Sequence, residues 1–149
     1  MRLIPVKEHL EENEALASNP RLQENLIMCV DFYKKVGFFP PWICYYAMIN
    51  EEIVGWAGFK GKPMDGKVEI AYGTLEKFKN QGIATRICRL LVQLALKADP
   101  SLAIAARTLK GNIFSIKILK KNGFQFSGEV IDPEDGAVWE WIYEGGPFN

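Results

Sequence analysis

The stretch EKFKNQGIATRICRLL, from Glu76 to Leu91, changes character near its middle. Its first half is mostly polar, and a helical period of apolar residues begins in its second half. One stripe of that period carries Ile83, Ile87, Leu90, Leu91, Leu94 and Ala98, and the opposite stripe carries Arg86, Arg89, Gln93 and Lys97. Upstream, VEIAYGTL (Val68–Leu75) is rich in β-branched and aromatic residues, which predicts a strand. The order is therefore strand, short loop and amphipathic helix.

Small residues, Gly82 and Ala84, stand where this predicted helix begins. The first backbone N–H groups of a helix have no partners within the helix, and small side chains leave them open to an anion. The alternative is a glycine that only eases the turn from strand to helix. Two nucleotide motifs are excluded: no GxxxxGKS or GxxxxGKT string occurs, and the glycine follows three predicted antiparallel strands instead of opening a dinucleotide-binding βαβ unit.

Composition predicts one globular domain over residues 1–149, because 48% of the 149 residues are hydrophobic and 12% are aromatic. No apolar run reaches membrane-spanning length and the first residues turn acidic, so neither a membrane partner nor a signal peptide is predicted. Cys29, Cys44 and Cys88 lack metal-ligand spacing, which predicts reduced core thiols in a cytoplasmic protein. The single histidine, His9, argues against a histidine-built metal site, and no metal is predicted.

Charge is unevenly distributed along a chain whose net charge is zero. Leu75–Lys121 contains ten Lys/Arg and two Asp/Glu, a net charge of +8 that the rest of the chain balances. A sequence pI near 6.6 argues against a nucleic-acid partner. The split suits an anionic ligand at the basic segment and a cationic one near the acidic remainder. Surface helices that happen to be rich in Lys and Arg are the alternative.

The order of predicted elements indicates an α+β fold, with a mixed and mostly antiparallel sheet of six to seven strands and about four helices. Helical segments are predicted between Val6 and about Val36, with a break at SNPRL (18–22) and a stop at VGFFPP (36–41). Two more are predicted, from Gly82 to the ADP sequence at 98–100 and from Asn112 to Asn122. Strands are predicted at WICYYAMI (42–49), EIVGWAGF (52–59), VEIAYGTL (68–75), LAIAARTL (102–109), FQFSGEVI (124–131) and AVWEWIY (137–143).

Two motifs in this order resemble the GNAT superfamily of N-acetyltransferases. The family pattern Arg/Gln-x-x-Gly-x-Gly/Ala falls on Lys79–Ala84, and the later pattern Asn-x-x-Ser-x-x-x-Leu-x-Lys-x-Gly-Phe falls on Asn112–Phe124. EIAY before the loop and GIAT within it look most like the subgroup that includes ribosomal-protein N-terminal, polyamine and aminoglycoside acetyltransferases. The resemblance spans roughly residues 42–143.

The resemblance implies acetyl-CoA as cosubstrate, bound where two central parallel strands splay apart. The pantetheine arm would pair with the backbone of Gly73–Leu75, and the pyrophosphate would take the N–H groups of Gln81–Thr85. Asn112 and Ser115 match positions near the pantetheine and the thiol. The implied cofactor-binding residues are Gly73, Thr74, Leu75, Lys79, Asn80, Gln81, Gly82, Ile83, Ala84, Thr85 and Asn112.

The sequence departs from the family pattern at two positions. Lys79 stands where Arg or Gln is usual, which keeps the charge and loses bidentate geometry. Leu119 stands where many members place a tyrosine thought to protonate the departing thiolate, although aliphatic residues also occur there in the subgroup. Ser115 or a water is then the expected proton donor, and the alternative for Ser115 is a residue near a helix cap with no chemical role.

Glu69 is the candidate base, because the period of a strand places it on one face with Ala71 and Gly73, which leave space around its carboxylate. The family often places a base on this strand. The alternative is a solvent-facing glutamate paired with Lys60, Lys62 or Lys67. Further acidic candidates are Glu129, Asp132, Glu134 and Asp135, and further aromatic candidates are Trp42, Tyr45, Tyr46 and Trp56, most of which are expected to be core residues.

These features together predict an N-acetyltransferase in which an amine attacks the thioester of acetyl-CoA directly, with Glu69 and Ser115 as the catalytic candidates. The acceptor is expected to be a small-molecule or peptide amine, and the protein a monomer or homodimer. A CoA-binding sensor or accessory module without turnover is the alternative, and an unrelated phosphate-binding domain is a third.

Overall fold

The computed structural model describes residues 1–145, in which one mixed seven-stranded sheet is flanked by helices. The strands are β1 (Arg2–Pro5), β2 (Cys44–Ile49), β3 (Glu52–Phe59), β4 (Lys67–Thr74), β5 (Ala103–Thr108), β6 (Phe124–Asp132) and β7 (Gly136–Tyr143). The α-helices are α1 (Glu14–Ala17), α2 (Gln23–Val36), α3 (Ile83–Ala98) and α4 (Ile113–Lys121), with short 3-10 helices at Leu10–Asn13 and Glu76–Phe78. The predicted α+β fold class is confirmed.

The sheet opens at its centre, between its two parallel strands. Its order is β1-β2-β3-β4-β5-β7-β6, and β4 and β5 are parallel, whereas the other neighbours are antiparallel. Pairing between β4 and β5 ends at Ile70 and Ala106. β4 continues for four more residues that pair only with β3. The two strands therefore splay toward their carboxyl ends, which leaves a gap lined by backbone.

The helices α2 and α3 cover opposite faces of the sheet. On one face, the Tyr46 hydroxyl donates a 2.7 Å hydrogen bond to Asn25 of α2. Tyr46 pairs with Trp56, and Trp56 pairs with Gly73, so these residues share the α2 face. Tyr72 points the other way and hydrogen-bonds Cys88 of α3. Of the stripe predicted for α3, Ile83, Ile87 and Leu91 are buried, together with Cys88, Val92 and Ala95, whereas Leu90 and Leu94 are half-buried and Ala98 is exposed.

Close packing requires a glycine where α3 crosses β3. A Cβ on Gly55 would lie 2.5 Å from the Gly73 carbonyl oxygen and 2.8 Å from Cδ1 of Ile87, distances at which atoms overlap. Ile87 is fully buried, and Ile83 and Leu91 of the same stripe are buried with it. Because Gly55 has no side chain, Ile87 of α3 packs directly on the backbone of β3. This contact fixes the start of α3 relative to the open end of β4.

Two predictions about the chain before β2 are corrected. Arg2–Pro5 forms an edge strand on β2, which four residues ending in proline were too short to indicate by alternation. The helical part of 6–36 begins only at Leu10, and the turn between α1 and α2 falls at the break predicted for 18–22. Strand β2 begins at Cys44, and Trp42 lies before it in an isolated bridge with Phe39. Within residues 1–145, no helix has both the length and the apolar character needed to cross a membrane.

Candidate active site

The backbone and side chains at the open end of β4 are set for an extended ligand. Gly73 carries no side chain because the indole of Trp56 lies directly over it, so that a Cβ there would be 2.5 Å from the ring. The buried hydroxyl of Thr74 has no hydrogen-bond partner among residues 1–145. Buried polar atoms are normally paired, so this orphaned hydroxyl is an observation that a bound ligand would explain.

The loop that enters α3 is shaped to expose backbone N–H groups. Gly82 is the N-cap in a left-handed conformation with φ of +74°, and no atom lies within 4 Å of where its Cβ would be. No side chain caps the helix, and its first turn contains no acidic residue. Asn80 also has a positive φ, +64°. The first turn of α3 therefore presents donors and a positive dipole end in open space.

Lys79 does not stand free beside this loop. Its ammonium lies 2.7 Å from the Glu76 carboxylate, and both side chains are largely exposed. An exposed pair of this kind is weak and is screened by salt, so Lys79 keeps the freedom to turn toward another anion. The remaining loop candidates, Gln81 to Thr85, lie together at the start of α3, as the motif implied.

Asn112 and Ser115 meet at the start of α4. The Asn112 side chain accepts a 3.3 Å hydrogen bond from the Ser115 backbone N–H, which makes Asn112 an N-cap. Ser115 is half-buried. Leu119, one turn further on, is only 1% exposed and belongs to the core, so this position provides no polar group to the site.

A buried asparagine that the sequence did not single out ties α4 to α3. Asn122 is 1% exposed, and its amide donates 3.1 Å hydrogen bonds to the backbone oxygens of Thr85 and Ile118. Thr85 is in the first turn of α3, so the cap of one helix holds the start of the other. The two elements that carry the candidate cofactor residues are thus coupled.

Glu69 lies in a cluster of charged residues centred on Arg107. The Arg107 guanidinium is 3.6 Å from Glu69, 3.0 Å from Asp132 and 3.4 Å from Glu140. Lys67 reaches Glu140 at 2.6 Å. Glu69 is therefore paired with Arg107, whereas the alternative drawn from the sequence was a pair with Lys60, Lys62 or Lys67. The sequence reasoning missed Arg107 and Glu140, although each is a charge within an apolar strand, which is itself a signal of pairing.

Burial raises the pKa of Glu69 above its ordinary value, and the charges of Arg107 and Lys60 oppose that rise. The pKa of Asp132 is lowered, chiefly because its carboxylate accepts hydrogen bonds from backbone N–H groups of its own turn. The two carboxylates thus differ in basicity although they share one guanidinium. Glu69 is the better proton acceptor of the two.

A cavity of about 490 Å³ lies between α2 and the sheet. Ala71, two residues along β4 on the Glu69 face, lines this cavity, and so does Lys60. Glu134, in the turn between β6 and β7, closes one side. The cavity is of the size of small-molecule sites and lies on the face of β4 that carries Glu69, Ala71 and Gly73.

The aromatic candidates divide between this cavity and the core. Tyr45 and Trp56 line the cavity. Tyr46 is 1% exposed, and Trp42 stacks edge-on against Phe59 with ring centroids 5.1 Å apart. Of the other acidic candidates, Glu129 is engaged by Lys110 at 2.6 Å in a half-exposed pair.

Two cysteines also belong to the cavity wall. Cys29 and Cys44 are half-buried cavity residues, and only Cys88 is a buried core thiol, which corrects the prediction for the first two. The thiol of Cys29 forms a hydrogen bond with that of Cys44 and lowers the pKa of Cys44. All three are free cysteines.

Comparison with known proteins gives the family. The model of the acetyltransferase (GNAT) domain matches residues 2–125. The chain belongs to the GNAT acetyltransferase family. The resemblance drawn from two motifs is thereby confirmed. The uncharacterized N-acetyltransferase YjdG of Bacillus subtilis (strain 168) is 32% identical over 95 residues, which are 63% of this chain and 54% of that protein. The aligned part is thus about half the length of that curated relative.

Solved structures show the same fold. An aminoglycoside acetyltransferase, AAC(6')-Ib in complex with coenzyme A and kanamycin, has a TM-score of 0.66 and 22% identity over 95% of this chain and 91% of that chain. A spermidine N-acetyltransferase SpeG chimera, from Vibrio cholerae and hSSAT, has a TM-score of 0.68 and 11% identity over 95% and 94%. The chain therefore contains an acyl-CoA N-acyltransferase domain with the family's splayed sheet.

Proposed function

We propose that this protein transfers the acetyl group of acetyl-CoA to a primary amine by direct attack of the amine on the thioester. The proposal rests on three features of the structure and on their arrangement along β4. β4 and β5 splay apart at their carboxyl ends, α3 begins without a side-chain cap, and a cavity of ligand size lies beside Ala71, two residues along β4 from the half-buried Glu69. The solved relatives whose names mention aminoglycoside and spermidine substrates support an amine acceptor.

The described residues fit acetyl-CoA at the open end of β4. Gly73, Thr74 and Leu75 would hold the pantetheine arm, and the orphaned Thr74 hydroxyl is a candidate partner for it. The N–H groups of Gln81–Thr85 would hold the pyrophosphate, for which Gly82 leaves open space. When bound, acetyl-CoA supplies an activated acetyl thioester. Asn112 and Ser115 lie at the start of α4, the other wall of the proposed thiol end.

Glu69 is proposed to take the proton that the acceptor must lose. An amine of pKa about 10 is mostly protonated at neutral pH, and a carboxylate of ordinary pKa, about 4.3, is a poor match for it. Burial raises the pKa of Glu69 and narrows this gap, with a water relay as the second route. The ammonium would first lose one proton to Glu69, and the free amine would then form the C–N bond as the C–S bond breaks. The second proton that the nitrogen loses on attack would reach the thiolate through Ser115 or a water.

One observation favours a second candidate, a CoA-binding module without turnover. Leu119 is buried in the core at the position where many relatives place the tyrosine proton donor, so this chain offers no such donor there. A thiol of pKa about 8.5 leaves without strong assistance, which is why turnover remains our proposal. A cytoplasmic location, a requirement for no metal and a monomeric or dimeric state remain predictions.

The test is Glu69→Gln, which removes the proton acceptor and keeps the shape of the side chain. We expect kcat/KM for the amine to fall about 10²–10⁴-fold, with acetyl-CoA affinity nearly unchanged. Part of the loss should be recovered at high pH, where free amine accumulates. The matched control is Glu51→Gln in the exposed β2–β3 turn, where the carboxylate pairs with Arg2. Turnover of Glu69→Gln equal to that of the control at every pH would assign the base to Glu134 or Asp132 instead.

A further inference from the structure

On the α2 side, the cavity is lined by the polar residues Asn25, Asp31 and Lys35 and by an apolar part at its rim. Met28 and Phe32 both line the cavity, and their spacing of four residues puts them on one face of α2. Met28 is 67% exposed, so its side chain is accessible to a ligand in the cavity. These two side chains form the rim of the cavity and offer it a flexible apolar contact.

The opposite wall is aromatic and extends to the proposed reaction centre. Trp56 lines the cavity, and its indole lies over Gly73 on the strand proposed to hold the pantetheine arm. Tyr45 lies opposite Ala57 in the sheet, so its ring points to the α3 face, and Trp56 is the ring that the sheet contributes to this wall. A substrate that lies along this wall meets ring faces and edges, which favour another apolar or aromatic group.

The charges around the cavity nearly cancel. The carboxylates of Asp31 and Glu134 are balanced by the ammonium groups of Lys35 and Lys60. In the adjoining cluster, two cations, Arg107 and Lys67, face three carboxylates, which leaves an excess of one negative charge. Several positive charges on one substrate would find no matching set of uncompensated carboxylates here.

We propose that the acceptor is a primary amine with one positive charge and an apolar, ring-bearing body. This inference rests on the proposed function and names its substrate class. The ammonium faces the cluster around Glu69, and the body lies between the α2 rim and Trp56. A free arylalkylamine and a peptide with an aromatic first residue share this chemistry. Polyamines and aminoglycosides, which carry several charges and few apolar groups, are poor acceptors.

The experiment measures thiol release from saturating acetyl-CoA with five amines: tryptamine, phenethylamine, the peptide Phe-Gly-Gly, spermidine and kanamycin. We expect kcat/KM for tryptamine or phenethylamine, or for the peptide, to exceed that for spermidine and kanamycin at least tenfold. The peptide arm distinguishes the two sources of the ring-bearing amine. A preference for spermidine or kanamycin overturns the inference and leaves the proposed function standing.

Variants of α2 test the wall itself. Met28→Ala and Phe32→Ala should each raise KM for the ring-bearing amine about five- to tenfold and leave KM for acetyl-CoA unchanged. The matched control is Ile27→Ala, an exposed apolar residue of the same helix that does not line the cavity. Met28 is exposed enough that its truncation leaves the fold intact. Equal kinetics for all three variants would overturn the inference.

A direct binding measurement separates this inference from the proposed function. If no amine releases thiol, the proposed function fails. Because the chain has four tryptophans, quenching of tryptophan fluorescence by each amine is compared between wild type and Trp56→Phe, and the difference still reports occupancy of the cavity. Saturable quenching by phenethylamine, which has no indole fluorescence of its own, and no quenching by spermidine would support the apolar-amine site. Quenching by spermidine and not by phenethylamine would overturn it.

Discussion

At the scale of single residues, the basicity of Glu69 is set by neighbours that come from other strands. Burial disfavours the charged form of Glu69 and raises its pKa, whereas the positive charge of Arg107 favours the charged form and lowers the pKa. Arg107 is shared with Asp132 and Glu140, so its position is fixed from three sides. We therefore propose that Arg107 is a positioning residue that acts through the proposed base, Glu69.

Arg107→Gln should shift the acidic limb of the kcat/KM profile to higher pH. Removing the guanidinium removes an influence that lowers the pKa of Glu69, so the carboxylate gains its proton at a higher pH and less base is available below that pH. Activity should fall more at about pH 6 than at about pH 9. Arg2→Gln, which breaks an exposed pair with Glu51 at the far edge of the sheet, is the control. A uniform loss at every pH would mean that Arg107 has only a structural role.

At the scale of elements, the residues that would best stabilise the start of α3 differ from those that would best bind an anion there. A helix N-terminus normally gains stability from an acidic residue in its first turn, and α3 has none. The missing acid is explained if the same end must accept an anion. An acidic residue introduced in this first turn should then stabilise the fold and weaken the binding of acetyl-CoA.

Ala84→Asp should stabilise the free protein by about 0.3–1 kcal/mol and weaken acetyl-CoA binding at least tenfold, which is about 1.4 kcal/mol. Ala84 is preferable to Gly82 because Gly82 has a positive φ, where any larger residue strains the backbone. Urea unfolding and calorimetry with acetyl-CoA are the two measurements. Gln23→Asp at the start of α2 is the control, with the same charge change and no expected change in affinity. Equal affinity of Ala84→Asp and wild type would return this helix start to a purely structural role.

The link between α3 and α4 predicts an effect of Asn122 on both folding and binding. Asn122→Leu removes two hydrogen bonds from a fully buried site and should lower the free energy of unfolding by about 1–3 kcal/mol. Because the Thr85 oxygen loses its clamp, acetyl-CoA affinity should fall as well. Gln125→Leu, on an exposed position of β6, is the control in urea unfolding. A destabilised variant with unchanged affinity would show that the clamp serves the fold alone.

At the scale of the whole molecule, the charge split acts on one ligand more than on the other. The segment with net charge +8 forms α3, β5 and α4 and includes the cofactor loop, whereas the charges that line the acceptor cavity balance. Coenzyme A is a polyanion, so its encounter with this segment is favoured over long range. The acceptor gains little from the same field.

Raising the ionic strength from about 0.05 to 0.5 M should therefore increase KM for acetyl-CoA several-fold and leave KM for the amine nearly unchanged, since salt at these concentrations screens long-range attraction. Initial rates with each substrate varied in turn measure both constants. A larger salt effect on the amine would show that the acidic remainder of the chain attracts the acceptor, as the sequence alone suggested.

The sequence by itself determined the features that depend on neighbours along the chain. The period of α3, the small residues at its start, the cap at Asn112 and the alternation that puts Glu69 beside Ala71 are all local, so they are visible in a single stretch. The two motifs were enough to indicate the family. The short edge strand β1 was not predicted from the sequence, because its four residues carry too little periodicity.

Only the tertiary structure decided which distant residues meet. Arg107 and Glu140 lie 33 positions apart and come together through the pairing of β5 with β7. The cavity likewise joins α2 to β3 and β4, so the roles of Met28 and Phe32 could not be inferred from α2 alone. Partners across a sheet are set by strand order and register, which depend on the packing of the whole core and leave no local pattern in the sequence.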